Sequence, residues 1–320
     1  MRSLTRYASG TGLVAAAAGW GSAAVTVKIA SGGLPAAVIT LVELSVAVPL
    51  LWMAVLVHRW REPGIALPRP TWGLLLLGLL EPALAFVFIN LGITLSSAAT
   101  ASLIIGLQSG FIIAIAAVFF HLRPTRLAWF ALAIGLVGVI LVTGGKPQAS
   151  SVVGDLLVFI GMIVASASVV VASRIAQNTD ATTMTAWQFT FGWLLVVPLT
   201  AILWKAGYIH VHTPVAAKYW LAAAVTGLVG SAMAFLIYNW ALGRVSVGLA
   251  AMAINLIPVF GVFFAVVFLG ESFQGVAIVG AVLVFIGLIL FSIDSRSEAA
   301  ATRVASQEVA QTRSTAPTAE

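Results

Sequence analysis

The stretch GLLLLGLLEPALAFVFIN, residues 73–90, has a second version later in the chain, AAAVTGLVGSAMAFLIYN, residues 222–239. Gly78, Leu79, Ala83, Ala85, Phe86 and Asn90 recur as Gly227, Leu228, Ala232, Ala234, Phe235 and Asn239, all at an offset of 149 residues. The match runs without a gap over residues 73–142 and 222–291, with 18 identities in 70 positions. Composition alone would give about 7, so the period marks an internal repeat. Ser97/Ser246, Phe111/Phe260 and Gly138/Gly287 belong to it, and Pro49/Pro198 carry the offset upstream. Nearer the start it drifts, with Lys28-Ile29-Ala30 opposite Arg174-Ile175-Ala176.

Both copies are apolar for about the 20 residues that cross a bilayer core as helix. The whole chain reads the same way. Of 320 residues, 61% are hydrophobic and 8% charged, against roughly 25% charged in a soluble domain. So few charges cannot clothe a soluble surface, and lipid is the solvent. Ten apolar runs follow, at about 12–30, 35–57, 72–93, 98–120, 127–143, 153–173, 183–204, 219–241, 247–268 and 276–293. Each is expected to be helical, because the bilayer core offers no water to backbone groups. The first run follows Arg2 and Arg6, as a signal peptide would, but it is longer than a typical signal core and has a counterpart in the second half. Residues 294–320 are polar, carry no apolar stripe, and are expected to form a mobile cytoplasmic tail.

With loops counted alternately from the N-terminus, all twelve arginines fall on one side: 2, 6, 59, 61, 69, 123, 126, 174, 244, 296, 303 and 313. Lys28, Lys146, Lys205 and Lys218 fall on the other. The positive-inside rule then places both termini in the cytoplasm of a cell (inner) membrane protein. The net charge of +6 therefore reports orientation and not nucleic-acid binding. The absence of cysteine excludes disulfides, thiol nucleophiles and thiolate metal sites.

The fold class expected is an all-α membrane protein, with residues 1–145 and 150–293 as two repeats of five transmembrane helices each. Five is odd, so the halves are inverted relative to one another. Inverted repeats are a construction plan of secondary transporters, with the site near the midplane between the halves. A non-transporting scaffold is the bland alternative. Trp20-Gly21-Ser22 followed by Lys28 resembles the opening of an EamA-type member of the drug/metabolite transporter superfamily. Pro258-Val259-Phe260, Leu269-Gly270-Glu271, Gly280 and Gly287 resemble the close of an EamA repeat. The resemblance covers about residues 12–292. It implies ten helices, a central cavity and transport of small metabolites, often export of amino acids or related solutes. Ser109 stands where the first repeat would carry proline, Leu122 stands opposite Glu271, and Glu43 stands where an arginine is common.

Two ionisable residues lie deep in the spans, Glu43 and Glu81. A charge at mid-bilayer costs at least about 2.5–3.5 kcal/mol, so such groups face a cavity or a partner. They are the candidates for binding a proton or a substrate ammonium group; pairing of a glutamate with Lys28 is the structural alternative. Leu79, Ala83, Phe86 and Asn90 repeat in both halves at one-face spacing, which predicts a shared helix contact. Glu81 then lies on the opposite face, with Leu77, Ala85 and Phe88 beside it. Pro82 is expected to free the Gly78 carbonyl.

Asn90 and Asn239 read as interhelical hydrogen-bonding residues. Gln108, Gln188 and Asn255 are isolated amides open to either role. Trp20, Trp187, Tyr238 and Trp240 are candidates for an apolar wall. Glu271 is expected near the N-terminus of the last span. Ala131/Gly135 and Ala277/Ala281 are small-residue pairs suited to close helix contact. Neither a phosphate-cradling loop nor a Ser/His/Asp set is legible, and His210-x-His212 lacks a third ligand, so no enzyme, cofactor or metal site is expected. The partners expected are a small-molecule substrate and the lipid bilayer. A lipophilic-cation or drug exporter is the rival to amino-acid export.

Overall fold

The computed structural model describes residues 2–61, 70–120, 124–144, 151–175, 179–211, 214–242, 254–273, 275–291 and 293–294. Within these the chain is all-helical. Helix α1 is Arg2–Ala30, α2 Ala36–Arg61, α5 Arg126–Gly144, α6 Val152–Ile175 and α7 Ala181–Lys205. Helix α3 is built from Trp72–Gly78, Leu79–Leu84 and Ala85–Leu95, and α4 from Ala98–Gly106 and Gln108–Phe120. Helix α8 comprises Ala217–Val225, Thr226–Met233 and Ala234–Leu242. Helix α9 is Ile257–Leu269 and α10 is Val276–Phe291. Among the described residues, eight helices are long and apolar enough to cross a membrane, and α9 and α10 are shorter apolar helices. The expected start of α9 (247–253), the midpoint linker around Lys146, and residues 295–320 lie outside the described residues.

Short polar side chains set the helix starts. Thr71, Ser97, Thr125, Ser151 and Asp180 each accept from the backbone N–H three residues on, at 2.9–3.3 Å. This satisfies amides that a helix otherwise leaves without partners. Gly270 ends α9 in the left-handed region (φ 66°), which glycine adopts without a Cβ penalty.

Small residues set the packing, as expected where lipid supplies no hydrophobic drive between helices. A methyl on Gly92 would stand 2.7 Å from the Gly154 carbonyl, and one on Gly161 2.9 Å from the Ala85 carbonyl, joining α3 to α6. Gly19 and Gly230 meet Val229 and Ala23 in the same manner, joining α1 to α8. Gly78 closes α3 on α7 at Gln188, and Gly227 closes α8 on α2 at Glu43. Gly106 packs on Pro258 between α4 and α9. Gly138 meets Gly280, and Gly287 meets Ala131 and Gly135, between α5 and α10.

The polar helix ends gather at two faces. His58 Nε2 and Asp180 Oδ1 lie 3.9 Å apart at one. Lys28, Ser96, Ser151 and Glu271 meet at the other, through bonds given below.

Candidate binding cavity

Two helices lose regular winding at matching depth. In α3 the segment Leu79–Leu84 is kinked, with Glu81 extended (φ −146°, ψ 123°). In α8 the segment Thr226–Met233 is π-wound. Pro82 cannot donate into the helix. The Ala85 N–H goes to the Leu80 and Pro82 carbonyls, and the Glu81 carbonyl is capped instead by Gln188 Nε2 of α7 at 2.9 Å. The carbonyl found with a side-chain partner is thus that of Glu81, where the sequence pointed to Gly78.

A cavity of about 390 Å³ lies against both breaks. Glu43, Glu81, Asn90, Gln108, Gln188, Trp20 and Tyr238 are on its wall. Asn255 is not: it sits in the turn before α9. The side chain of Asn239, like that of Trp240, lies outside the described residues. Trp187 is also off the wall; its ring stacks on Phe191 (5.5 Å) and meets Trp52 edge-on (5.2 Å), which makes it a packing residue.

Glu43 is buried in α2, with both carboxylate oxygens occupied. Oε1 accepts from the Ser231 hydroxyl of α8 at 2.7 Å, and Oε2 from Asn90 Nδ2 of α3 at 2.9 Å. The same Asn90 amide donates to Thr40 at 2.9 Å. Glu81 accepts through Oε2 from the Ser168 hydroxyl of α6. Ser168 and Ser231 are therefore site residues that sequence reasoning missed. Serines are common in membrane helices, and nothing local marks these two; Ser231 carried one hint, as the repeat mate of Pro82. Lys28 pairs with neither glutamate; its amine donates to carbonyls at the end of α3.

The shared-stripe expectation holds for Ala83 and Phe86 and their mates Ala232 and Phe235, which pack in one cluster around Phe189, and fails for the rest. Phe86 and Asn90 line the same cavity as Glu81, and Leu79 and Leu228 are each 38% exposed on the outside of the helices. Leu77 and Ala85, expected beside Glu81 on a substrate face, are fully buried in helix contacts. The 3.6-residue period assumes continuous winding, and the break at Glu81 rotates everything that follows.

One end of the wall is aromatic. Trp20 meets Phe235 at 5.2 Å and Tyr238 at 5.1 Å, and Phe235 meets Phe189 at 5.1 Å. Such tilted and edge-on contacts give a rigid apolar surface. None of the described lining residues is Lys, Arg or His. The site can therefore offer a carboxylate acceptor to a cation, next to apolar surface.

All-helical, bilayer-length spans around a largely apolar cavity that holds two carboxylates define a multi-pass membrane protein with an internal binding space. The family model for the EamA-like transporter family matches residues 10–144 and again 152–293, and the chain belongs to that family. Its members are transporters and not enzymes. The chain is similar to a probable terminal-alkyne amino-acid exporter of Streptantibioticus cattleyicolor, 28% identical over 284 residues, spanning 85% of this chain and 89% of that protein. A solved crystal structure with 19% identity overlays with TM-score 0.64, covering 90% of this chain and 98% of the other, a likeness of fold.

Proposed function

We propose that this protein is a secondary transporter that exports an amino acid or a related amine-bearing metabolite by alternating access. The observation that carries the reading is how the two carboxylates are held. Glu43 and Glu81 both come from residues 1–145, and Ser231, Ser168 and Gln188 all come from residues 150–293. The cavity wall is thus stitched across the two segments that match the family model separately. Relative movement of those segments would remake these bonds and re-expose the cavity.

The helix contacts support an inverted duplication. The α1–α8 contact has its exchanged partner in α6–α3, and the α2–α8 contact in α7–α3. Equivalent helices α5 and α10 run antiparallel, with 138 against 280 and 131 against 287. The arginine partition supports cytoplasmic termini in the inner membrane.

A substrate ammonium group, or a proton between substrates, neutralises Glu81. The aromatic end accepts an apolar side chain. The rival cargo, a lipophilic cation, is favoured by the lack of basic side chains among the described lining residues. Purified protein in proteoliposomes should carry labelled neutral amino acids and respond to an imposed pH gradient. Transport of lipophilic cations alone would establish the rival. Transport of nothing in the panel would leave a non-transporting membrane protein and end the carrier reading.

A further inference from the structure

The turn between α3 and α4 is gripped at both helix ends by ionic groups from distant parts of the chain. Glu271, in the α9–α10 connection, accepts from the Ala98 N–H through Oε1 at 2.9 Å and from the Ala99 N–H through Oε2 at 2.8 Å. Those amides open the second helix of the turn, and a carboxylate there satisfies orphan donors and complements the helix dipole. The sequence had suggested the N-terminus of Glu271's own following helix; the physics is the same but the helix is a different one. Lys28, near the end of α1, donates to the carbonyls of Ile93 (3.1 Å), Thr94 (3.3 Å) and Ser96, which close α3.

Two more bonds reach the turn from α6 and its start. The Ser96 hydroxyl donates to Asp155, and the Ser151 N–H donates to the Leu95 carbonyl at 3.1 Å. Ser96 and Asp155 are buried, at 0% and 4% exposure. Apart from the bonds of Lys28, every one of these crosses from residues 150–293 to the turn at 95–99.

We propose that Glu271 and Asp155, with the turn Leu95–Ala99, form a latch that keeps the cavity closed at this face and must release for it to open there. Backbone amides and carbonyls this close to lipid cannot be left unpaired cheaply. Parting the halves here exchanges the whole set for water, so the latch releases as a unit. In the ungapped repeat the position matching Glu271 is Leu122; at the other face the halves meet instead through His58 and Asp180, 3.9 Å apart, and through the Thr125 hydroxyl donating to Asp294 at 2.6 Å. The inference rests on the alternating-access reading, but its test needs no substrate.

The chain has no cysteine, so Ala165→Cys on the cavity wall provides a single reporter. Right-side-out and inside-out vesicles holding the full chain are treated with a membrane-impermeant maleimide. Adding Glu271→Gln or Asp155→Asn should raise labelling from the latch face about tenfold, as loss of about 1.4 kcal/mol of closure would give, and lower it from the other face. Ser96→Ala removes only one hydroxyl and should shift labelling the same way by a smaller factor, which keeps the test valid if a charge variant fails to insert. Unchanged rates, or rates rising together at both faces, would overturn the latch. A latch-face shift in protein that carries no solute would uphold the latch and sink only the cargo assignment.

Discussion

The helix breaks at 79–84 in α3 and 226–233 in α8 overlap at the repeat offset of 149 but differ in kind: the first is a kink with Glu81 extended, and the second is a looser winding with no extended residue. The first break holds Glu81-Pro82, and the second holds Gly230-Ser231. At the first, the carboxylate belongs to the break itself and is anchored by Ser168, while Gln188 caps the backbone carbonyl. At the second, the break supplies hydroxyls and no carboxylate: Ser231 anchors Glu43 of α2, and Thr226 pairs with Thr26 of α1 at 2.8 Å. A shared scaffold thus keeps the place of its breaks and exchanges what they display. Glu43 has both oxygens engaged by protein donors; for Glu81 the contact shown is the one from Ser168. On that difference we propose that Glu81 meets the cargo and Glu43 braces the wall.

The sharpest way to break this contrast is Glu81→Gln. Removing one charge of a desolvated pair costs about 2–5 kcal/mol, so substrate affinity in proteoliposomes should fall by a factor of about 30 or more, with the protein still folded by size-exclusion profile. Equal loss in Glu43→Gln would erase the division of roles. Glu43→Gln should instead act mainly on stability. An amide has one accepting oxygen where the carboxylate has two, so Asn90 or Ser231 loses its partner, at about 1–3 kcal/mol, read as a lower Tm in detergent.

Gly78→Ala and Gly227→Ala test whether the two breaks pack alike. A methyl at Gly78 would meet the Gln188 carbonyl at 2.6 Å, and one at Gly227 would overlap the Glu43 carbonyl. Each should cost about 1–3 kcal/mol through overpacking, by similar amounts, in the same thermal assay. A large effect in one alone would mean that the halves pack differently here. The smallest effect belongs to Trp52→Phe, which removes the indole bond to Thr190 at 2.8 Å. Interhelical bonds of this kind average about 0.6 kcal/mol, and transport should not change.

Much of this was legible in the residue string, and the failures have physical causes. The long helices, their approximate ends and both buried carboxylates follow from apolar length and from the cost of charge in lipid. The small-residue pair Ala131/Gly135 does lie at a close contact, against Gly287. The face assignment in α3 failed in part because a periodicity argument cannot see a break that resets the helix phase. For Trp187 the sequence left packing and lining both open, because an aromatic ring at membrane depth fits either, and its contacts with Phe191 and Trp52 are packing. Ser168 and Ser231 were invisible because a hydroxyl acquires a role only from the group it meets.

The sequence by itself determined that this chain lives in lipid, that its described spans are helical, and that residues 73–142 return in pattern at 222–291. Those conclusions need only the solvent's demand that backbone polar groups be paired within each span, and the arithmetic of a repeat. The tertiary structure alone decided which polar groups share a cavity and which helix end each charge caps. Glu43 finds Ser231 across 188 positions, and Glu271 finds Ala98 across 173. Such partnerships depend on how helices are laid against one another, and sequence separation carries no record of that.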